Sequence, residues 1–268
     1  MNYIGIFDSG VGGLGIFNEI KKLLPSESIL YLADTANCPY GKKTQESIKE
    51  ICKKNTEFLI EQGAKIIVVA CNTASVSALN YLRSEFPGIP IVGVIPVVKT
   101  AAEISKNKRI GLLATKTTLN SDYLKGLIKE FCPPEKGFRM YFREAGELVE
   151  AVEKIYHLKD QDIEKKVKRN VGSLVFNGVD VIILGCTHFP FLRDQIEKTT
   201  GGKIKILDSN GAVARQIARI LKNNNQLTLN NLAPEYKFFC TKDKGIFKYL
   251  LQTLANTTSD KIYLLKWN

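Results

Sequence analysis

The sequence predicts an α/β fold built from two pseudo-duplicated parallel-sheet domains, and three observations carry that prediction. Short runs rich in Ile, Val and Leu alternate with amphipathic stretches of helical length, the pattern of parallel strands joined by crossover helices. A twelve-residue pattern occurs twice, QGAKIIVVACNT at 62–73 and NGVDVIILGCTH at 177–188. The opening NYIGIFDSGVG also has a counterpart of the same period, KRIGLLATKTT at 108–118.

Taken in order, residues 3–7, 28–33, 66–70 and 91–95 read as strands, because each is apolar without the alternation of a half-exposed strand. Residues 14–24, 44–62 and 74–86 between them have helical spacing. Residues 99–108 read as a helix or connector, after which the pattern restarts, so a second domain is expected over 98–207. LDSNGAVARQIARIL then reads as a turn feeding a helix, and the Asn-rich 223–231 as a loop. KFFCT, KGIFKYLLQTLA and KIYLLKW read as strand, helix and strand. These last elements are too few for a third core, so 208–268 is expected to join 1–97 in the first domain.

With 268 residues and 44% hydrophobic content, the chain has material for a substantial core, which excludes disorder as a whole-chain reading. MNYIGIFDSG carries no basic leader, and no stretch approaches the roughly 18 apolar residues of a membrane span. A soluble cytoplasmic protein without membrane attachment is therefore expected. The six Cys (38, 52, 71, 132, 186 and 240) form no CxxC or tight cluster, which favours reduced thiols. Net charge is +11, but the basic residues are interleaved with acids and no aromatic-basic module accompanies them. The expectation is a solvated basic surface that attracts a small anionic substrate, with no nucleic-acid partner.

Ligands of open α/β sheets bind outside the carboxyl ends of the strands. Asp8-Ser9, residues 34–41, Cys71-Asn72-Thr73 and Cys186-Thr187-His188 stand at such ends. A thiol there sits beside the N-terminus of the next helix, whose dipole favours thiolate, and the same helix ends can hold carboxylates. Pro190 suits the first turn of the helix after Cys186. A single Cys at an apolar strand end is ordinarily inert core, and Cys38, Cys52, Cys132 and Cys240 keep that reading. Cys71 and Cys186 in matched frames, each with polar neighbours, instead suggest paired acid/base groups. His188 stands out by following Cys186 by two, whereas His157 reads as a helix-surface or loop residue. Cys186 and His188 alone are too few ligands for zinc, and no feature calls for a metal or pyridoxal phosphate.

Three other readings stay open on the residues. Gly10, Gly12 and Gly15 have GxGxxG spacing after a strand, with Asp34 where a ribose-binding acid would stand. Against a dinucleotide site, Asp8 and Ser9 intervene before the glycines and the paired Cys is left unexplained. A thiol hydrolase would use Cys186 as nucleophile and His188 as base. A non-catalytic amino-acid or nucleotide binder would use the same strand ends without turnover.

FDSGVGGL, YLADTANCPYG, VVACNTAS, GLLATKTTLNSDY, ELVEAVE, ILGCTHFP and DSNGAVARQ follow one another nearly end to end. In these motifs the chain resembles the glutamate racemases of the cofactor-independent aspartate/glutamate racemase superfamily. The resemblance implies an active site in the cleft between the two domains, where L- and D-glutamate are interconverted without cofactor or metal. It implies Cys71 and Cys186 as the two acid/base catalysts, Asp8 assisting the first, and His188 with Glu150 assisting the second. It further implies that Asp8, Ser9, Tyr40, Gly41, Asn72, Thr73, Thr187 and His188 hold the amino acid, with Thr118 a further contact. Homodimers and supply of D-glutamate for peptidoglycan are also implied. GVIPVVKTAA replaces the more common GVIEPG and FREAGELVE a CPLFVPLVE-like segment, so Glu150 is placed by the frame LVE alone. Both variants resemble a Gram-negative subgroup with some members activated by a peptidoglycan precursor, which makes such an activator a candidate partner.

Overall fold

Two all-parallel sheets, one of six strands and one of four, are present in the computed structural model, which describes residues 3–157, 159–228 and 233–266. Unit 1 is Met1–Val94 with Asn210–Asn268, and unit 2 is Ile95–Ser209. Unit 1 begins β1 (Tyr3–Asp8), α1 (Leu14–Leu23), β2 (Ser28–Ala33), α2 (Gln45–Glu61), β3 (Ala64–Val69), α3 (Asn72–Glu85) and β4 (Ile91–Gly93). Unit 2 contains α4 (Val98–Ile104), β5 (Arg109–Ala114), α5 (Lys116–Asn120), α6 (Asp122–Phe131) and β6 (Arg139–Glu144). It continues through α7 (Gly146–Glu153), α8 (Asp160–Phe176), β7 (Val181–Gly185), α9 (Arg193–Thr200) and β8 (Lys205–Leu207). The chain then adds α10 (Asn210–Asn223), β9 (Tyr236–Cys240), α11 (Lys244–Ala255) and β10 (Ile262–Leu264) to unit 1.

Strand order is β10-β9-β2-β1-β3-β4 in unit 1 and β6-β5-β7-β8 in unit 2. Without its last two strands, unit 1 repeats the order second, first, third, fourth that unit 2 shows, so the duplication seen in the sequence is a duplication of topology. The twelve-residue repeat has a local cause. Gly63 (φ 93°) and Gly178 (φ 68°) occupy the left-handed region just past α2 and α8, and each turns its chain into the third strand of its sheet. That conformation strains any residue with a Cβ, so helix, glycine and strand recur as one cassette.

β1, β2 and β3 are buried almost throughout, as strands covered on both faces must be. On one face Phe17, Tyr31, Phe238 and Phe247 pack with ring centroids 5.4 to 6.4 Å apart, joining α1 and β2 to β9 and α11. This aromatic burial gives the physical reason for the return of the last segment to unit 1. Lys65, a charged residue within β3, is buried because Glu27 Oε2 lies 2.6 Å from its Nζ and the Gln226 carbonyl 2.7 Å away. β4 is shorter than the expected 91–95, bracketed by Pro90 and Pro96, which cannot donate to a ladder. Part of the expected 223–231 loop, 229–231, and Trp267 of KIYLLKW lie outside the described residues. Among the described residues no helix is long and apolar enough to cross a membrane.

Candidate active site

In unit 1 the carboxyl ends of three adjacent strands bring polar groups together. Asp8 closes β1 in register with Ala33 of β2, and the Ala70 amide bonds to the Phe7 carbonyl, so 8, 34 and 71 lie along one sheet edge. Asp8 is fully buried, and its Oδ1 accepts from the Gly10 amide at 2.7 Å and the Ser9 hydroxyl at 3.4 Å. The Cys71 thiol lies 3.8 Å from Ser9 Oγ. Cys71 is also the N-cap of α3, with extended backbone (φ −136°, ψ 121°), so its thiol stands at the positive end of a 14-residue helix. Asn72 begins that helix, and its buried Nδ2 has no hydrogen-bond partner among the described residues. A buried amide donor without an acceptor is costly, which makes it a natural contact for a bound anion.

The segment after β2 is held from within. Asp34 accepts hydrogen bonds at its carboxylate from Tyr40 Oη (2.7 Å), Asn37 Nδ2 (3.0 and 3.1 Å) and Thr241 Oγ1 (2.9 Å). Tyr40 is buried; its hydroxyl also accepts from Asn55 at 3.1 Å. Burial first, and the neighbouring Asp34 second, push the Tyr40 hydroxyl well above its ordinary pKa, so it stays a neutral donor. Gly41 follows it in a single 3-10 turn. These bonds occupy the Asp34 carboxylate, which argues against its serving a ribose. The Gly-rich turn has another explanation, since a Cβ on Gly13 would come within 2.9 Å of the Ala70 Cβ and 3.1 Å of the Asp8 Cβ. Glycine there lets α1 start against the site residues themselves.

In unit 2, β5 and β7 pair with Ala114 opposite Gly185, so Thr115 and Cys186 leave the sheet side by side. Thr118 is buried on α5, its hydroxyl 3.1 Å from that of Thr115. Cys186, Thr187 and His188 are all buried. The Cys186 thiol lies 3.8 Å from His188 Nδ1, and His188 Nε2 lies 2.6 Å from Glu153 Oε1. Burial disfavours the imidazolium, but hydrogen bonds to Cys186 and Glu153 outweigh it and hold the His188 pKa well above its usual value. The result is a carboxylate–imidazole–thiol chain whose two contacts favour the protonated imidazole.

One expectation changes here, and one contact is added. After Cys186 the chain enters a 3-10 turn, Phe189–Leu192, and only then α9, so Pro190 lies in the 3-10 turn and the thiol lacks the long-helix terminus that Cys71 has. The carboxylate bonded to His188 is Glu153, which the sequence reading did not single out; Glu150 lies three residues earlier on α7. α7 is anchored from α8 by Asn170, which donates to Glu147 Oε1 at 2.7 Å and accepts from Arg143 at 3.2 Å. The available signal was the spacing in ELVEAVE, where Glu147, Glu150 and Glu153 recur every three residues on neighbouring helix positions.

The family model described as Asp/Glu/Hydantoin racemase matches residues 14–217. A glutamate racemase of Pseudomonas aeruginosa is 40% identical over 218 residues, 81% of either chain. One of Pseudomonas putida is 38% identical over 255 residues, 95% of this chain and 94% of that one. The solved structure of a Bacillus anthracis glutamate racemase is similar at a TM-score of 0.86 with 32% identity, covering 100% of this chain and 97% of that one. An Escherichia coli glutamate racemase, solved with L-glutamate and the activator UDP-MurNAc-Ala, gives 0.85 with 30% identity over 99% of both chains. By sequence and by fold, the chain belongs to the Asp/Glu/hydantoin racemase family.

Proposed function

We propose that this chain interconverts L- and D-glutamate by proton transfer at the α-carbon, with Cys71 and Cys186 as the two bases and no cofactor. Inversion removes a proton from one face of the α-carbon and returns one to the other, so two groups of matched chemistry are required. The observation that carries the reading is that the third strand of each duplicated sheet ends in a buried thiol with its own proton partner. In each direction one thiolate takes the α-proton and the opposite thiol supplies the new one. Asp8 and Ser9 serve Cys71; His188, bonded to Glu153, serves Cys186 by relaying its proton. Glu150 remains a second carboxylate assigned to the Cys186 side.

The carbanion forms beside an ionised carboxylate, so fixed donors and exclusion of water must ease it. Asn72 Nδ2, Thr73, Thr118, Thr187, Ser9 and the amides of Tyr40 and Gly41 are assigned to the substrate's ammonium and carboxylate groups. The Tyr40 hydroxyl is committed to Asp34 and Asn55, which leaves its backbone for that task. D-glutamate supply to peptidoglycan in the cytoplasm is the corresponding cellular role. A homodimer and stimulation by UDP-N-acetylmuramoyl-L-alanine belong to the same proposal, the latter motivated by the activator bound to the Escherichia coli protein.

The test is proton NMR of L-glutamate in deuterium oxide with purified protein and no added cofactor, read together with chiral analysis of the product. Loss of the α-proton signal as D-glutamate accumulates supports the proposal. Absence of exchange, with the activator present and L-aspartate also tried, rejects it; a covalent adduct at Cys186 alone would favour the hydrolase reading.

A further inference from the structure

We infer that Asp34 is a positioning residue that fixes the Tyr40–Gly41 peptide for the substrate's carboxylate, an inference that rests on the racemase reading above. Asp34 is fully buried, and its four carboxylate hydrogen bonds come from the neutral donors Tyr40, Asn37 and Thr241. A buried carboxylate met by neutral donors gains less stability than an apolar side chain of its size, so its presence points to placement rather than to core stability. What it places is specific. Its own amide bonds to the Asp8 carbonyl at 2.9 Å, which locks the start of the segment to the strand end carrying Asp8. Its Oδ2 takes the Tyr40 hydroxyl, and Asn55 on α2 donates to the same hydroxyl, so the ring is gripped from both sides. Thr241, just past β9, donates to Oδ1 and accepts from the Ala36 amide at 2.9 Å, bracing the segment from the returning part of the chain. Tyr40 and Gly41 are thereby held at the sheet edge that bears Asp8 and Cys71, while the Tyr40 hydroxyl is unavailable to a ligand.

The prediction is a loss of binding without a loss of chemistry. A backbone cradle that touches the carboxylate equally in ground and transition states affects KM and leaves kcat alone. Asn in place of Asp34 offers one acceptor oxygen where two are needed, and Tyr40→Phe removes the hydroxyl while keeping the ring. Asp34→Asn and Tyr40→Phe are each expected to raise KM for both enantiomers about 10-fold, with kcat within about threefold of wild type. The double variant should be no worse than the worse single one, because both cut the same link. Phe58→Leu, which loosens packing on Phe239, serves as the stability control and should lower Tm without moving KM. If Asp34→Asn does not fold, Tyr40→Phe and Thr241→Val carry the test on the same readout. Unchanged KM in folded variants of an active enzyme, or additive effects in the double variant, overturns the inference alone. A wild-type chain without turnover removes the racemase reading and this inference together.

Discussion

Cys71 and Cys186 end the third strand of their own sheets in matched twelve-residue frames, yet their surroundings differ in kind. Cys71 caps a 14-residue helix and has a serine hydroxyl 3.8 Å away, with the Asp8 carboxylate behind that serine. Cys186 leads into a short 3-10 turn and has the His188 imidazole at the same 3.8 Å, backed by Glu153. One thiol stands at a helix N-terminus beside a hydroxyl, the other beside an imidazole backed by a carboxylate. The comparison teaches that duplication supplied two matched thiol-bearing strand ends, while local sequence gave each thiol different surroundings.

The largest effect should come from the thiols themselves. Cys71→Ser and Cys186→Ser are each expected to reduce net racemisation at least about 10³-fold, because a serine hydroxyl is a far weaker acid and base at neutral pH. If one of them retains substantial turnover in a chiral assay of both directions, the two-base symmetry fails. Next in size is Glu153→Gln, expected to lower kcat about 10²-fold by loosening the proton on His188, with Tm little changed. Glu150→Gln in parallel sharpens the assignment: a larger loss there than at Glu153 would move the essential carboxylate one turn back along α7.

The pH dependence of stability separates the two sides further. His188 has a raised pKa in the folded state, so its protonation stabilises the fold fully below the ordinary histidine value of about 6.5. That contribution is lost as pH rises through the raised folded value. The Tm gap between wild type and His188→Asn should therefore be wider at about pH 6 than at about pH 9. A gap that widens with pH would mean that the imidazole is held neutral. The smallest effect is expected at Ser9→Ala, where one weak hydrogen bond to sulfur is worth about 1 kcal/mol, or about fivefold in kcat/KM. An equal loss for Ser9→Ala and Glu153→Gln would erase the distinction between the two thiol environments.

The parts of this arrangement that sequence reveals are those set by local pattern. The helix–glycine–strand–Cys cassette is legible twice because Gly63 and Gly178 are demanded by backbone conformation and the strands by burial. The 3-10 turn after Cys186 was not legible, since Pro190 is compatible with the first turn of either helix type. Glu153 was hidden by its own periodicity: Glu150 and Glu153 share a helical spacing, and only the contact with His188 distinguishes them. The role of Asp34 depends on Thr241, 207 residues away along the chain, a separation no local motif records. Its GxGxxG context leaves a nucleotide reading open in the sequence, and the bonds from Tyr40, Asn37 and Thr241 to the carboxylate argue further against it.

The central claim is that the two thiols act as distinct bases on opposite faces of one α-carbon. Its most direct test is to follow α-proton exchange of L- and D-glutamate separately in deuterium oxide with Cys71→Ser and with Cys186→Ser. The account predicts that each variant retains exchange with one enantiomer only, and that the two variants retain opposite ones. Exchange lost for the same enantiomer in both variants, or a Cys71 variant indistinguishable from wild type, would contradict it.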